Sequence, residues 1–263
     1  MDLGLSGRVA LVAAASRGLG RATAERLARE GMRVAICARN EELLRRAAEE
    51  IQAATGAEVL AVPADVSKPE DVERLVSQTR ERFGRLDVLV TNAGGPPPGN
   101  FFDFTDGQWE AAFRLTLMSV VRLCRAAIPP MKERKWGRIV HITSVSVKQP
   151  LPNLLLSNSL RLAVIGLAKS LAVELAPYNI TVNSVCPGPI ATERMEQLLQ
   201  AQAQMQNIPL EEARAAWTRE IPLARLGQPQ ELADAIAFLA SENAGFITGA
   251  ALQVDGGMVK FVL

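Results

Sequence analysis

The chain has 263 residues, with 29 Lys plus Arg against 28 Asp plus Glu and a formal net charge of +1. That length accommodates a large core, and that balance excludes a basic nucleic-acid surface and an acidic solvating tail. Cys37, Cys124 and Cys186 are odd in number, far apart and without CxxC spacing, which excludes a disulfide framework and predicts small buried apolar residues in a reducing compartment.

Residues 9–31 read as an apolar strand, a tight turn and an amphipathic helix. Leu11 and Val12 end the strand, Ser16, Arg17, Gly18, Leu19 and Gly20 make the turn, and Ala24, Leu27 and Ala28 recur at helical spacing before Gly31. Glycines at such a turn let the backbone approach a pyrophosphate, whose charge the free N–H groups and dipole of the helix N-terminus stabilise. A second strand, 34–37, and a charged helix, 41–54, complete a βαβ unit. Where an acid would bind the 2′-hydroxyl of an adenosine ribose stands Arg39, with Arg17 as a second cation. Arginine there suits a 2′-phosphate, so the phosphorylated dinucleotide is expected as cofactor, with NADP preferred over NAD.

A third strand, 59–62, leads to Asp65 and Val66, then to a helix over 69–83; a fourth, 88–91, runs into Asn92, Ala93 and Gly94. Strand ends carrying Asp65 and Asn92 are expected at the same rim as the glycine turn. After the stiff stretch Gly95-Pro96-Pro97-Pro98-Gly99 come Phe101, Phe102 and Phe104; two readings stay open for them, a self-packed loop and a wall of an apolar pocket. A single long helix over 109–131, apolar nearly all round at Phe113, Leu115, Leu117, Val120, Val121 and Leu123, is predicted to be buried on several sides. A fifth strand, 139–143, ends at Ser144; His141, inside it, is expected to be a packed residue. A helix through Arg161 to Leu175 and a sixth strand, 181–185, lead into Pro187-Gly188-Pro189.

Between 192 and 222 the alternation gives way to a Gln-, Met- and Glu-rich helical segment with proline-containing ends. It is expected to be a lid that closes over a ligand and excludes water, the bland reading being a static decoration. A last helix, 229–240, and a last strand, 251–254, end in Asp255-Gly256-Gly257. Short aliphatic strands alternating with helices predict an α/β fold with a parallel sheet covered on both faces. No repeat or second-domain boundary interrupts residues 1–263, and no metal-binding cluster is predicted. No run is apolar for membrane-spanning length and MDLGLSGR lacks the regions of a leader, so a cytoplasmic protein with no membrane partner is expected.

These motifs resemble the short-chain dehydrogenase/reductase family over essentially the whole chain, and its 3-oxoacyl-acyl-carrier-protein reductase-like group in particular. The resemblance rests on the turn Ala13-Ala14-Ala15-Ser16-Arg17-Gly18-Leu19-Gly20, on Asp65-Val66, Asn92-Ala93-Gly94 and Ser144, on Pro187-Gly188-Pro189-Ile190-Ala191-Thr192, and on the closing Gln253-Val254-Asp255-Gly256-Gly257. It implies a single Rossmann-like doubly wound domain in which Asp65 and Val66 hold the adenine and the backbone from Asn92 through Ala93 to Gly94 borders the cofactor. Pro187 and Gly188 would then lie beside it, with Ile190 and Thr192 holding the nicotinamide carboxamide. A homotetramer or homodimer built on the long helices and the last strand is also implied.

Three positions depart from the family pattern. Ala14 replaces the first glycine of the turn, and Thr116 stands where an Asn usually helps to organise a relay water. Counting from Ser144, the family's Tyr-x-x-x-Lys falls on Ser157-Asn158-Ser159-Leu160-Arg161, so Ser157 stands for the tyrosine and Arg161 for the lysine. A serine hydroxyl is a far poorer acid than a phenol, and a guanidinium cannot relay a proton as an ammonium can. Ser144, Ser157 and Arg161 are thus the candidate catalytic set, with Lys148 or a water on Ser157 as other proton sources. Tyr178, the only tyrosine, is placed at the site by no motif. The expected function is an NADP(H)-dependent oxidoreductase acting on an apolar or planar carbonyl or alcohol with a non-standard catalytic set. The alternatives are an inactive NADP(H)-binding sensor or partner subunit and, third, a structural scaffold. Leu151, Leu154, Leu155 and Leu156 beside the site favour a greasy ligand.

Overall fold

A computed structural model describes residues 2–261. Seven parallel strands form one sheet in the order β3-β2-β1-β4-β5-β6-β7: β1 (Val9–Val12), β2 (Arg33–Ala38), β3 (Val59–Pro63), β4 (Val88–Thr91), β5 (Gly137–Ile142), β6 (Ile180–Pro187) and β7 (Ala251–Val254). The strands read as near-continuous apolar runs because both faces are covered. Val9, Leu11, Ile139 and Val182 point to one side, onto α3 (Pro69–Phe83), α5 (Ser119–Arg134) and α6 (Leu155–Leu175). Ala10, Val12, Val140 and Val185 point to the other, onto α1 (Gly18–Arg29), α2 (Glu41–Thr55) and α9 (Pro229–Ala240). The period of two in a pleated strand divides the core into these two layers. The expected doubly wound α/β architecture is the observed one.

The chain winds outward from β1 to β3, returns beside β1 as β4, and winds outward the other way. This reversal opens a crevice above the carboxyl ends of β1 and β4, the usual ligand position in such sheets. The opposite end of the same strand pair is closed by Asp87, fully buried, which accepts from the Val9 N–H at 2.9 Å and from Arg85 through Nε and Nη2 at 2.7 Å each.

The predicted helix over 109–131 is not one helix. A short α4 (Asp106–Phe113) is joined to α5 by a π-helical turn, Arg114–Met118, and α5 continues through Pro129 and Pro130. The unbroken apolar run conceals the extra residue in the turn, which rotates the buried Thr116 toward the crevice side. Thr116, Val120 and Leu123 are buried while Phe113 is 42% exposed, so burial holds on some sides of the segment and not on that of Phe113.

The segment 192–222 forms two helices, α7 (Glu193–Gln206) and α8 (Leu210–Arg219), outside the sheet, with a small core of their own built on Met195, Leu199, Ala203 and Ala213. His141 is fully buried in β5. Its Nδ1 lies 2.8 Å from Thr91 Oγ1, Nε2 has no partner among the described residues, and burial drives its pKa down to about 4. It is a packed residue, as expected. The three cysteines are free and buried, and desolvation pushes the thiols of Cys37 and Cys124 up to about 12, which leaves them unreactive.

Candidate active site

One cavity of about 870 Å³ runs along the carboxyl ends of the strands from Arg39 to Ser144, a size within the upper range for ligand pockets. Its first wall is the turn after β1. Gly18 has φ of +58°, and a Cβ on Gly20 would fall 2.4 Å from the Ala14 carbonyl oxygen, so both positions need glycine for different reasons. Ser16, Arg17, Gly18 and Leu19 border the cavity; Gly20 does not. Gly20 stands behind that wall, where its missing Cβ lets α1 pack against the turn. Ala14 carries the strain, with φ of +50° on a residue that has a Cβ.

Helix α1 begins without a side-chain cap and with no acid in its first turn. Its neighbours differ: Asn40 accepts from the Leu43 N–H at 2.9 Å to cap α2, and Thr192 accepts from the Met195 N–H at 3.3 Å to cap α7. The N–H groups of α1 are left for an anion. Above them Arg39, exposed at the end of β2, borders the cavity and makes no ion pair among the described residues. Arg17 borders it too, but pairs with Glu193 at the start of α7.

The middle of the cavity carries Asp65, Val66, Asn92, Ala93 and Gly94. Asp65 Oδ1 accepts from the Ser67 N–H and hydroxyl at 3.0 and 2.7 Å, while its own N–H donates to Asp71 Oδ2 at 2.8 Å. That N–H, more than the neighbouring Arg74, holds the Asp71 carboxyl below the usual range. Asn92 Nδ2 donates to the Ala14 carbonyl at 3.3 Å, tying the ends of β4 and β1 together. On the far side Pro187, Gly188, Ile190 and Thr192 complete the wall. A Cβ on Gly188 would meet Asp255 at 2.8 Å, so glycine is what lets the closing turn approach. Thr192 donates its hydroxyl to the Ile190 carbonyl at 3.3 Å and caps α7, which leaves it one lone pair.

The candidate catalytic residues meet at the end of β5, all three bordering the cavity. Ser144 Oγ accepts from the Ser146 N–H at 3.1 Å, so its own O–H is free to donate. Ser157, buried in the first turn of α6, makes no hydrogen bond to the protein among the described residues. Arg161, one turn on, donates Nη1 to the carbonyls of Thr143 at 2.9 Å and Ile142 at 3.3 Å. It thereby fixes the strand end that presents Ser144. Burial first and Arg194 second bring its pKa down to about 10, and it remains a cation at neutral pH. Behind it lies a second cavity of about 10 Å³, the size of one water, bordered by Thr91, Thr143 and Thr116, whose Oγ1 is buried without a partner.

Other expectations fare differently. Leu154 borders the main cavity, but Phe101, Phe102 and Phe104 do not; Phe101 and Phe102 are 64% and 95% exposed. The pocket-wall reading of the aromatics is thereby removed. Lys148 does not border the cavity, and Tyr178 lies beyond α6 with the Lys132 ammonium 4.7 Å above its ring. Missing from the expected site is Arg194. It stands in the first turn of α7, half-buried, donates Nη2 to the Pro96 carbonyl at 3.0 Å and spans the mouth of the cavity. Its only sequence signal is a cation two residues after Thr192, where a helix N-terminus favours acids.

Comparison with known proteins agrees with this geometry. The family described as Enoyl-(Acyl carrier protein) reductase matches residues 13–259. A 3-oxoacyl-[acyl-carrier-protein] reductase of Synechocystis sp. is 40% identical over 98% of this chain and 99% of its own. L-Sorbose reductase from Gluconobacter frateurii, solved with NADPH and L-sorbose, superposes with a TM-score of 0.95 at 35% identity, covering 100% of both chains. An actinorhodin polyketide ketoreductase variant solved with NADPH superposes with a TM-score of 0.93 at 36% identity over 97% of this chain and 98% of its own.

Proposed function

The chain belongs to the short-chain dehydrogenase/reductase family, and from that premise we propose that it is an NADP(H)-dependent oxidoreductase that interconverts a small carbonyl compound and its alcohol with Ser144, Ser157 and Arg161. The observation that carries the reading is the continuity of a single cavity from Arg39 at the end of β2 to Ser144 at the end of β5. A dinucleotide with a 2′-phosphate and a substrate beside its nicotinamide need that continuity.

The residues fit the cofactor. The uncapped start of α1 and the close approach allowed by Gly18 suit the pyrophosphate. Arg39, without a competing acid, suits the 2′-phosphate. Asp65 and Val66, on the cavity wall, suit the adenine, and the remaining lone pair of Thr192 suits a carboxamide N–H. Bound in this cavity, the cofactor supplies or accepts a hydride. In the reducing direction the free O–H of Ser144 donates to the carbonyl oxygen and stabilises the charge that develops there. Ser157 Oγ holds a second donor beside it, and the Arg161 cation adds a favourable field while keeping the end of β5 in place. Neither hydroxyl is a strong acid, so the proton that completes the alcohol comes through Ser157 from water.

Leu115, Leu154 and Leu198 on the cavity wall support an apolar substrate body, and the α7–α8 hairpin is suited to close over it. The outward face of α6, with Leu162, Gly166 and Val173 in one stripe, and the exposed Leu252 at the sheet edge support a homodimer or homotetramer.

Fluorescence titration with NADPH and NADH tests the cofactor. NADPH is expected to bind at least tenfold tighter, and Arg39→Asp to erase that preference; tighter NADH binding to the unmodified chain would overturn the assignment. A panel of ketones, quinones and acyl thioesters is then followed by loss of NADPH absorbance, with Ser144→Ala as control. A rate unchanged by that substitution would remove Ser144 from the mechanism. Tight NADPH binding with no turnover across the panel would return the chain to a sensor or partner subunit.

A further inference from the structure

Four cations border the main cavity, Arg17, Arg39, Arg161 and Arg194, against two acids, Asp65 and Glu193. The acids do not offset the charges evenly. Glu193 pairs with Arg17, and Asp65 lies beside Val66 in the middle of the cavity, with its Oδ1 occupied by Ser67. Arg161 and Arg194 have only neutral carbonyl acceptors among the described residues. Arg161 places both carbonyls on Nη1, leaving Nε and Nη2 without a protein acceptor, and Arg194 engages only Nη2. Burial lowers the pKa of both guanidinium groups, and for Arg161 the nearby Arg194 charge adds to it. Burying two like charges side by side is unfavourable unless an anion joins them.

We infer that Arg194 and Arg161 form the receptor for a carboxylate on the substrate, so that the compound turned over is a carbonyl with an apolar body and an acidic end. This deepens the proposed oxidoreductase and rests on it. The pyrophosphate already has its donors in the Gly18 turn and the uncapped α1; Thr192 packs on that turn, 3.7 Å from where a Cβ on Gly18 would lie, while the Arg194 side chain reaches away to Gly95 and Pro96 and Arg161 adjoins Ser144 and Ser157. A planar carboxylate accepts two parallel N–H bonds from a guanidinium fork. Leu115 and Leu154 face the remainder of such a ligand.

The probes are 4-phenyl-2-oxobutanoate and its ethyl ester, titrated calorimetrically into the protein with and without saturating NADP⁺. The acid is expected to bind about 10- to 100-fold tighter than the ester, the range of one or two charge-assisted hydrogen bonds. Arg194→Gln is expected to abolish that ratio while the NADPH titration stays unchanged and the melting temperature falls by no more than the lost Pro96 bond, about 2 °C, and Arg194→Lys to keep part of it. Equal binding of acid and ester to the unmodified protein would overturn the inference. So would an Arg194→Gln variant that loses NADPH affinity but retains the acid preference, since the arginine would then belong to the cofactor's phosphates. Failure of NADP⁺ to bind would instead sink the oxidoreductase reading, a result the acid and ester titrations without cofactor leave separate.

Discussion

Restoring the family pair by Ser157→Tyr with Arg161→Lys is expected to raise ketone reduction. A positioned proton donor contributes about 10²- to 10⁴-fold, equivalent to roughly 3–5.5 kcal/mol of barrier, and a phenol in the first turn of α6 would stand beside Ser144 at the cavity. The substitution also has a structural consequence. Arg161 bonds the carbonyls of Ile142 and Thr143, and a shorter lysine leaves at least one of them without its donor, a loss of about 1–3 kcal/mol. For 263 residues, an unfolding entropy near 2.1 cal/mol/K per residue converts that to a fall of about 2–5 °C in melting temperature. The assay is NADPH consumption with ketone and acyl-thioester substrates for the unmodified chain, both single variants and the double variant, each with its melting curve and NADPH affinity. A double variant that folds, binds NADPH as before and gains no rate would refute the reasoning, because the missing phenol and ammonium would then not be what limits this pocket.

Ala14→Gly is expected to stabilise the protein. The left-handed backbone at φ +50° costs a residue with a Cβ about 1–2 kcal/mol, and the extra freedom of glycine in the unfolded chain returns about 0.4–1 kcal/mol of that. A rise of up to about 3 °C in melting temperature follows; a fall would show that the turn is not strained. His141 makes the fold sensitive to mild acid. Its folded pKa, about 4, lies below the ordinary 6.5, so the unfolded chain takes up a proton before the folded one does, and stability present above pH 6.5 is lost as the pH falls toward 4. The full loss is about 3 kcal/mol, with about 2 kcal/mol gone by pH 5. Urea unfolding at pH 7 and pH 5 measures it. His141→Asn should flatten the difference, and an undiminished loss in that variant would assign it elsewhere; the lowered carboxyls of Asp71 and Glu231 respond below this window.

The sheet was readable because parallel strands buried on both faces leave apolar runs that no amphipathic pattern imitates, as in Val9–Val12 and Val88–Thr91. The cavity was readable where backbone geometry demands a residue type, as at Gly18 and Gly188, and where a motif fixes a strand end, as at Asn92 and Ser144. Features that depend on side chains meeting across the chain left no such trace. The π-helical turn at Thr116 sits within an apolar pattern that a continuous helix satisfies equally well. Gly20 shares a glycine motif with residues at the cavity, and only the position of the Ala14 carbonyl separates its role from theirs. Phe101 and Phe102 could face inward or outward, and local sequence does not decide which. Arg194 reaches Pro96 across 98 residues of sequence, from a helix whose own pattern reports only the small core beneath it.

That small core gives α7 and α8 an independence of their own. Met195, Leu199, Ala203 and Ala213 form a cluster separate from both apolar layers of the sheet, closed by Ile221, Leu226 and Met258 from the flanking chain, so the pair can move without opening either layer, against those few apolar contacts and polar links such as Arg17 to Glu193 and Arg194 to Pro96. Such a unit unfolds and refolds on a schedule separate from the body. Its amide protons should exchange with solvent while those of β1, β4 and β5 are still protected.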